Sequence, residues 1–156
     1  MAYIYPAPGV TGSEVTLTLS DNSGTLTGDL VMPALQDVTV NAANDVFTWT
    51  QLDETAKLQV ATTSTNSLAM NLVLDQDTFF GTGAAGTLAG QGLFDSSVNK
   101  TLVDFDLFLG KTSSGGAGKT LSGSGYITGL APTVSADAPV WVSPITITVT
   151  GEYTVA

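Results

Sequence analysis

Residues 102–110 read LVDFDLFLG, and their alternation decides the class of fold. Val103, Phe105, Leu107 and Leu109 fall on one side of an extended chain, with Asp104, Asp106 and Phe108 on the other. Side chains in a strand point to opposite faces in turn, so the pattern describes a strand with one buried and one polar face. The same period of two recurs along the chain. Val15, Leu17 and Leu19 alternate with Thr16 and Thr18, and Phe47 and Trp49 with Thr48 and Thr50. In SLAMNLVL, residues 67–74, Leu68, Met70, Leu72 and Leu74 oppose Ala69, Asn71 and Val73. Ile145, Ile147 and Val149 alternate with Thr146, Thr148 and Thr150. Threonine and branched aliphatic residues favour strands. The expected fold is mainly β, two packed antiparallel sheets forming a sandwich or partial barrel, with one short α-helix.

Turn-forming clusters separate these runs at residues 20–29, 52–55, 75–78 and 110–119. Between residues 82 and 100 the alternation breaks, and Leu88, Leu93, Phe94 and Val98 fit one amphipathic helix at residues 86–98. Its glycines weigh against that helix. Residues 1–12 read as an N-terminal arm, followed by a single domain over residues 13–156. The segment 131–144 reads as a long connection, because Pro139 and Pro144 argue against a central position in a sheet.

The 156 residues carry fourteen carboxylates against four lysines, with no histidine and no cysteine, for a net charge of −10. There is no arginine. Charged residues are 12% of the chain, so its surface polarity must come from Thr, Ser, Asn and Gln, and much of that surface is expected to be covered by protein partners. Without His, Cys or Arg, the common nucleophile–base pairs, thiolate metal sites and phosphate clamps are missing. Carboxylate pairs remain at Asp53–Glu54, Asp75–Asp77 and Asp104–Asp106. The first two fall in expected turns and lack the Gly and terminal Glu of a calcium loop. SSGGAGKT, residues 113–120, imitates a phosphate-binding loop, but Ser113 stands where Gly is needed. The LSGSGYITGL that follows is not a helix start, so the stretch reads as a loop between strands. No catalytic residue, cofactor or metal is expected. The opening MAYIYPAPGV has neither a basic segment nor an apolar core of secretory length. No run approaches the ~18 apolar residues of a membrane span. A chain made and kept in a cytosol, with no membrane partner, is the expectation.

Residues 123–154, GSGYITGLAPTVSADAPVWVSPITITVTGEYT, resemble the closing portion of phage major tail tube proteins. Gly125, Tyr126, Ile127, Thr128, Asp137 and the run 145–154 carry the likeness: a Gly-containing strand ending in Ile-Thr, an acidic connection, and an alternating strand closing on Gly and an aromatic. Residues 46–77 resemble the strand–turn–strand–strand stretch that precedes the family's helix. The Gly-rich helix region and the WVSP at 141–144 depart from the family pattern and blur the element boundaries. The resemblance implies a structural virion protein, the major tail tube subunit, self-assembling into stacked hexameric rings that form a conduit for DNA ejection. It implies a place in the virion tail, with assembly in the host cytoplasm. Its implied partners are itself, a tape measure protein, a tail terminator and baseplate or tail-tip proteins, with DNA passing unbound through the lumen.

An acidic lining suits such a conduit, because each lysine paired with a phosphate would add affinity. Asp104 and Asp106 are the candidate lumen-facing carboxylates, with an ordinary solvated strand face as the competing reading. Asp21, Asn22, Lys111 and Lys119 are candidates for contacts between rings. The alternative function is a capsid decoration or adhesin-type module, which an exposed aromatic cluster around Trp141 or Phe79–Phe80 would favour. An enzyme hydrolysing nucleotides through Lys119 is the remaining alternative.

Overall fold

The structure is a computed structural model and describes residues 3–6, 14–32, 35–53, 55–112 and 116–156. Most of the 1–12 arm, Glu54 and residues 113–115 of the phosphate-loop imitation lie outside the described residues. The chain first forms β1 (Ile4–Tyr5), β2 (Thr16–Asp21), β3 (Leu30–Val31), β4 (Leu35–Trp49) and β5 (Leu58–Val73). Two helices follow, α1 (Gln76–Phe80) and α2 (Leu88–Val98). The rest is β6 (Leu102–Phe108), β7 (Lys111–Thr112), β8 (Thr120–Leu130), β9 (Thr133–Ser135) and β10 (Ala138–Val155).

Among the described residues the named strands pair antiparallel, and one isolated parallel bridge joins Thr27 to Thr87. The large sheet runs β3-β2-β6-β8-β10-β5-β4, with β9 paired to β10, and β1 pairs separately with β7. The expected mainly β, antiparallel fold is therefore present, and α2 is the expected helix. The two packed sheets of the expectation are joined by hydrogen bonds into one, so the partial-barrel form is the one realised. A lone sheet can bury a face only by curling or by gaining a second layer. Here the edge strands β3 and β4 are consecutive in the chain. Four residue steps from Val31 to Leu35 span at most about 14 Å, so the two edges must come round to face each other. A groove of ≈ 740 Å³ marks the open seam, lined in part by Val15, Val31, Met32, Leu35, Val38 and Leu107. The alternating apolar residues fill the inside of the curl: Leu17, Leu19, Leu68, Leu72, Val103, Phe105, Leu107, Ile145 and Ile147 are all buried.

Two local expectations need correction. The DQDT at 75–78 is not a turn between strands. Asp75 accepts a hydrogen bond from the Thr78 N–H at 3.2 Å, so the residue that suggested a turn is the N-cap of α1. The glycines weigh against α2 as expected: at Gly92 the backbone leaves helical values, and α2 is two short pieces that meet at a kink. Gly92 has φ 71°, and a Cβ there would lie 2.4 Å from the backbone nitrogen of Gly81, at the end of α1. Residues 131–144 are not a loose connection either. Pro139 lies where β10 meets β9 alone, but Pro144 stands opposite Asn71 in a strand with neighbours on both sides. The buried Ser143 hydroxyl patches the ladder there, accepting from the Ala131 N–H at 3.0 Å and donating to the Pro144 carbonyl at 2.9 Å.

Candidate functional site

β6 lies between β2 and β8, and its alternation turns Asp104 and Asp106 to the outside of the curl. Ser20 and Ser124 flank Asp104 in register, and Thr18 and Ser122 flank Asp106. The Ser124 hydroxyl donates to Asp104 Oδ1 at 2.5 Å, and the Ser122 hydroxyl to Asp106 Oδ1 at 2.6 Å. Asn22 Nδ2, from the loop after β2, donates to Asp104 Oδ1 at 2.8 Å. The face continues through Thr150, Thr148 and Thr146 of β10 and Asn71 of β5 to Asp37 of β4. Asn71 Nδ2 donates to Asp37 Oδ2 at 2.9 Å. Lys57, Lys100, Lys111 and Lys119 are the four lysines, and none of them lies in the eight strands of this sheet. The result is a continuous hydroxyl-rich surface carrying negative charge.

The loop after β2 is knotted around Asp21. The Leu26 N–H donates to its Oδ2 at 2.8 Å and the Ser23 hydroxyl at 2.7 Å, and these two bonds, in that order, hold its carboxyl below the usual aspartate value. Asp21 pairs with Val103 at the start of β6, whereas Lys119 precedes Thr120, which pairs with Phe108 at its end. Five residue steps, about 17 Å, separate those levels. Lys111 is close to the same end, in β7 just after β6. Gly118 explains its own presence: a Cβ there would lie 2.4 Å from the Phe108 ring. The strand β8 follows at Thr120, so the loop offers no helix N-terminus to a phosphate. Among the described residues no three carboxylates converge as a metal site.

A second surface is an arm. Pairing of β5 with β10 stops at Asn66, and from Thr65 to Leu58 the chain pairs with β4 alone. Eight residues of two-stranded ribbon, about 26 Å, thus extend past the body. Phe47 stands opposite Val60 and Trp49 opposite Leu58, so these four apolar side chains share one face of the ribbon. The Phe47 and Trp49 rings stack with centroids 5.7 Å apart.

No family model and no curated protein matches this chain. Solved structures do match it. A chain in the tail of an empty gene transfer agent particle, determined with C6 symmetry, aligns over 90% of this chain and 94% of its own, at 11% identity and a TM-score of 0.61. A chain of the six-fold symmetrised anti-feeding prophage baseplate aligns over 96% and 97%, at 11% identity and 0.64. The SPP1 tail tube chain aligns over 93% of this chain and 78% of its own, at 10% identity and 0.62. This chain has the tail-tube fold.

Within the tail-tube fold, the resembling stretch 123–154 occupies most of β8 and all of β9, with β10 up to Thr154. Of the candidate residues, Asn22 and Asp104 are brought into direct contact, and Asp106 shares the face of Asp104. Asp21 and Asn22 lie at one end of the β6 level, with Lys111 and Lys119 at the other. Sequence reasoning missed the arm of this chain. Its signal was the apolar face of Phe47 and Trp49, which reads the same whether the neighbouring layer exists or not.

Proposed function

We propose that this protein is a structural, non-catalytic tail tube subunit whose copies associate into rings, hexameric by analogy, that stack into a hollow conduit for DNA. The observation that carries this reading is the lysine-free sheet whose outer face presents Asp104, Asp106 and Asp37 among hydroxyls. Such a surface repels the phosphate backbone within a screening length of about 8–10 Å and offers it no counterion-releasing partner. The long edge strand β4 supports association as well, since an unpaired edge invites a strand from a neighbouring copy. The tail-tube fold adds its weight, and among its solved examples are structures with C6 or six-fold symmetry. In this reading Asp21, Asn22, Lys111 and Lys119 take part in contacts between rings. The subunit belongs to a virion tail assembled in the host cytoplasm, and it meets a tape measure protein, a terminator and a baseplate.

A second reading, a decoration or adhesin module, draws on the exposed aromatic rings of Trp141 and Phe80. The two readings part on self-assembly. Negative-stain electron microscopy of the purified protein over a concentration series should reveal hollow rings or stacked tubes. Monomers alone up to millimolar concentration would turn the assignment to the decoration or adhesin module.

A further inference from the structure

The order of strands in the large sheet runs against their order in the chain. Residues before β10 supply two separate parts of it, β3-β2-β6-β8 on one side and the β5–β4 ribbon on the other. Among the described residues no strand of one part pairs with a strand of the other, and β10 alone joins them. Residues 142–149 of β10 pair with residues 66–73 of β5, and residues 145–155 pair with residues 121–130 of β8. This strand follows all of its partners in the chain, so every one of them is synthesised first.

Neither part keeps its shape without β10. A sheet has to bury its apolar face by curling or by gaining a layer, and four strands alone have no curl to close. Ile145, Ile147 and Val149 are buried in the same core as Leu17, Leu19 and Phe105, with Ile147 opposite Leu68 on one side and Ile127 on the other. The ribbon is weaker still, because an isolated two-stranded hairpin is marginal in water. Its direction also comes from β10. The Tyr153 hydroxyl lies 2.8 Å from the Asn41 carbonyl of β4 and 2.9 Å from the Ser67 carbonyl of β5, and the Gly151 carbonyl accepts from Asn66 Nδ2 at 2.8 Å. The open edge of β4 therefore has no fixed position relative to the body until β10 is in place.

We propose that β10 gates assembly: its insertion between β5 and β8 closes the sheet and, in the same step, creates the geometry that other copies recognise. The gate rests on the strand order, and what it controls rests on the tube reading. Its use lies in timing. Roughly 100 residues separate the end of β4 from the end of β10, which at ~5–20 residues per second take about 5–20 s to make. Nascent copies crowd together during that interval, and an open edge strand is a template for mispairing. A lone, marginal ribbon presents no lasting edge, so subunits stay apart until each sheet is complete.

The test holds the chain on the ribosome. The full 156-residue chain is followed by a linker and a stalling sequence, with a short linker that keeps β10 inside the exit tunnel or a long one that frees it. Long-linker chains should resist protease and be captured by tagged wild-type tubes. Short-linker chains should be cleaved within β5 at least about tenfold faster and escape capture. Short-linker chains that resist protease, or that are captured, would overturn the gate and leave the tube reading standing. Free wild-type protein that never forms tubes would remove the tube reading, and the gate on assembly with it. Hydrogen exchange on the free protein gives a second check that needs no ribosome. Amides of the β2–β6 ladder should exchange no more than about tenfold slower than those of β10, through one shared opening. Amides there that outlast β10 by a wider margin would show that this part stands without it, which would overturn the proposal.

Discussion

The Tyr153 hydroxyl lies 2.8 Å from the Asn41 carbonyl and 2.9 Å from the Ser67 carbonyl, while its ring packs edge-on against Phe105 at 6.2 Å. Asn66 Nδ2 donates to the Gly151 carbonyl at 2.8 Å beside it. These contacts fasten β10 to the base of the arm, at the level where the β5–β10 ladder stops. Tyr153→Phe removes the donor and keeps the ring, so a loss of about 1 kcal/mol is expected in denaturant unfolding. Burial raises the Tyr153 phenol above its ordinary value. The unfolded chain then loses this proton first as pH rises. The stabilisation is complete below about pH 10, the unfolded value, and fades as pH climbs through the folded one. The difference in unfolding free energy between wild type and Tyr153→Phe should be flat to about pH 10 and shrink above it. A difference that grew above pH 10 would contradict the assignment.

The helical elements depend on close backbone contact. Gly92 combines φ 71° and ψ 179°, a region open essentially to glycine, with a backbone neighbour that leaves no room for a Cβ. Gly92→Ala therefore brings both strain and collision, and a loss of about 3 kcal/mol or more is expected from the two together. Thermal unfolding checks this, with Gly83→Ala as the comparison. Gly83 also has positive φ but open space around it, so its alanine variant carries strain alone. Equal losses in the two variants would mean that the contact with Gly81 is unimportant. At this scale the sequence was half legible. The apolar spacing located α2 to within two residues at its start, yet α1 passed for a turn, because Asp serves turns and helix caps by the same hydrogen bond to a nearby N–H. Pro144 misled for a related reason. A proline forbids one ladder bond, and the sequence does not announce that a neighbouring serine hydroxyl will bridge the Ala131 N–H to the Pro144 carbonyl beside it.

For the whole molecule, the placement of charge carries the function proposed. Each lysine that reaches a phosphate contributes about 0.9 to the slope of log affinity against log salt on duplex DNA. Asp104→Lys/Asp106→Lys would set cations on the face where the sheet has none. Tubes of this variant should retain DNA at low salt and release it as salt rises, measured by co-sedimentation, while wild-type tubes retain none. Retention unchanged by the double substitution would place the Asp104–Asp106 face away from the lumen. Ser122, Ser124 and Asn22 lose their acceptors in the variant, so its folding is to be compared by circular dichroism.

The sequence by itself determined the class of structure and the face each strand buries. Alternation of period two is a local property, so the inward Val103, Phe105 and Leu107 and the outward Asp104 and Asp106 are legible without any partner strand. Composition likewise limited the chemistry, since a chain without His, Cys or Arg lacks most catalytic groups whatever its fold. Pairing is not local. Only the tertiary structure decided that eight of the strands form one curled sheet, that β3 and β4 become its facing edges, and that Asn22 meets Asp104 across 82 positions of sequence. It also decided that the ladder between β5 and β10 ends at Asn66, leaving half of a long strand as an arm. Whether an apolar face is core or interface depends on what lies opposite it in space, and a strand's own residues do not encode that.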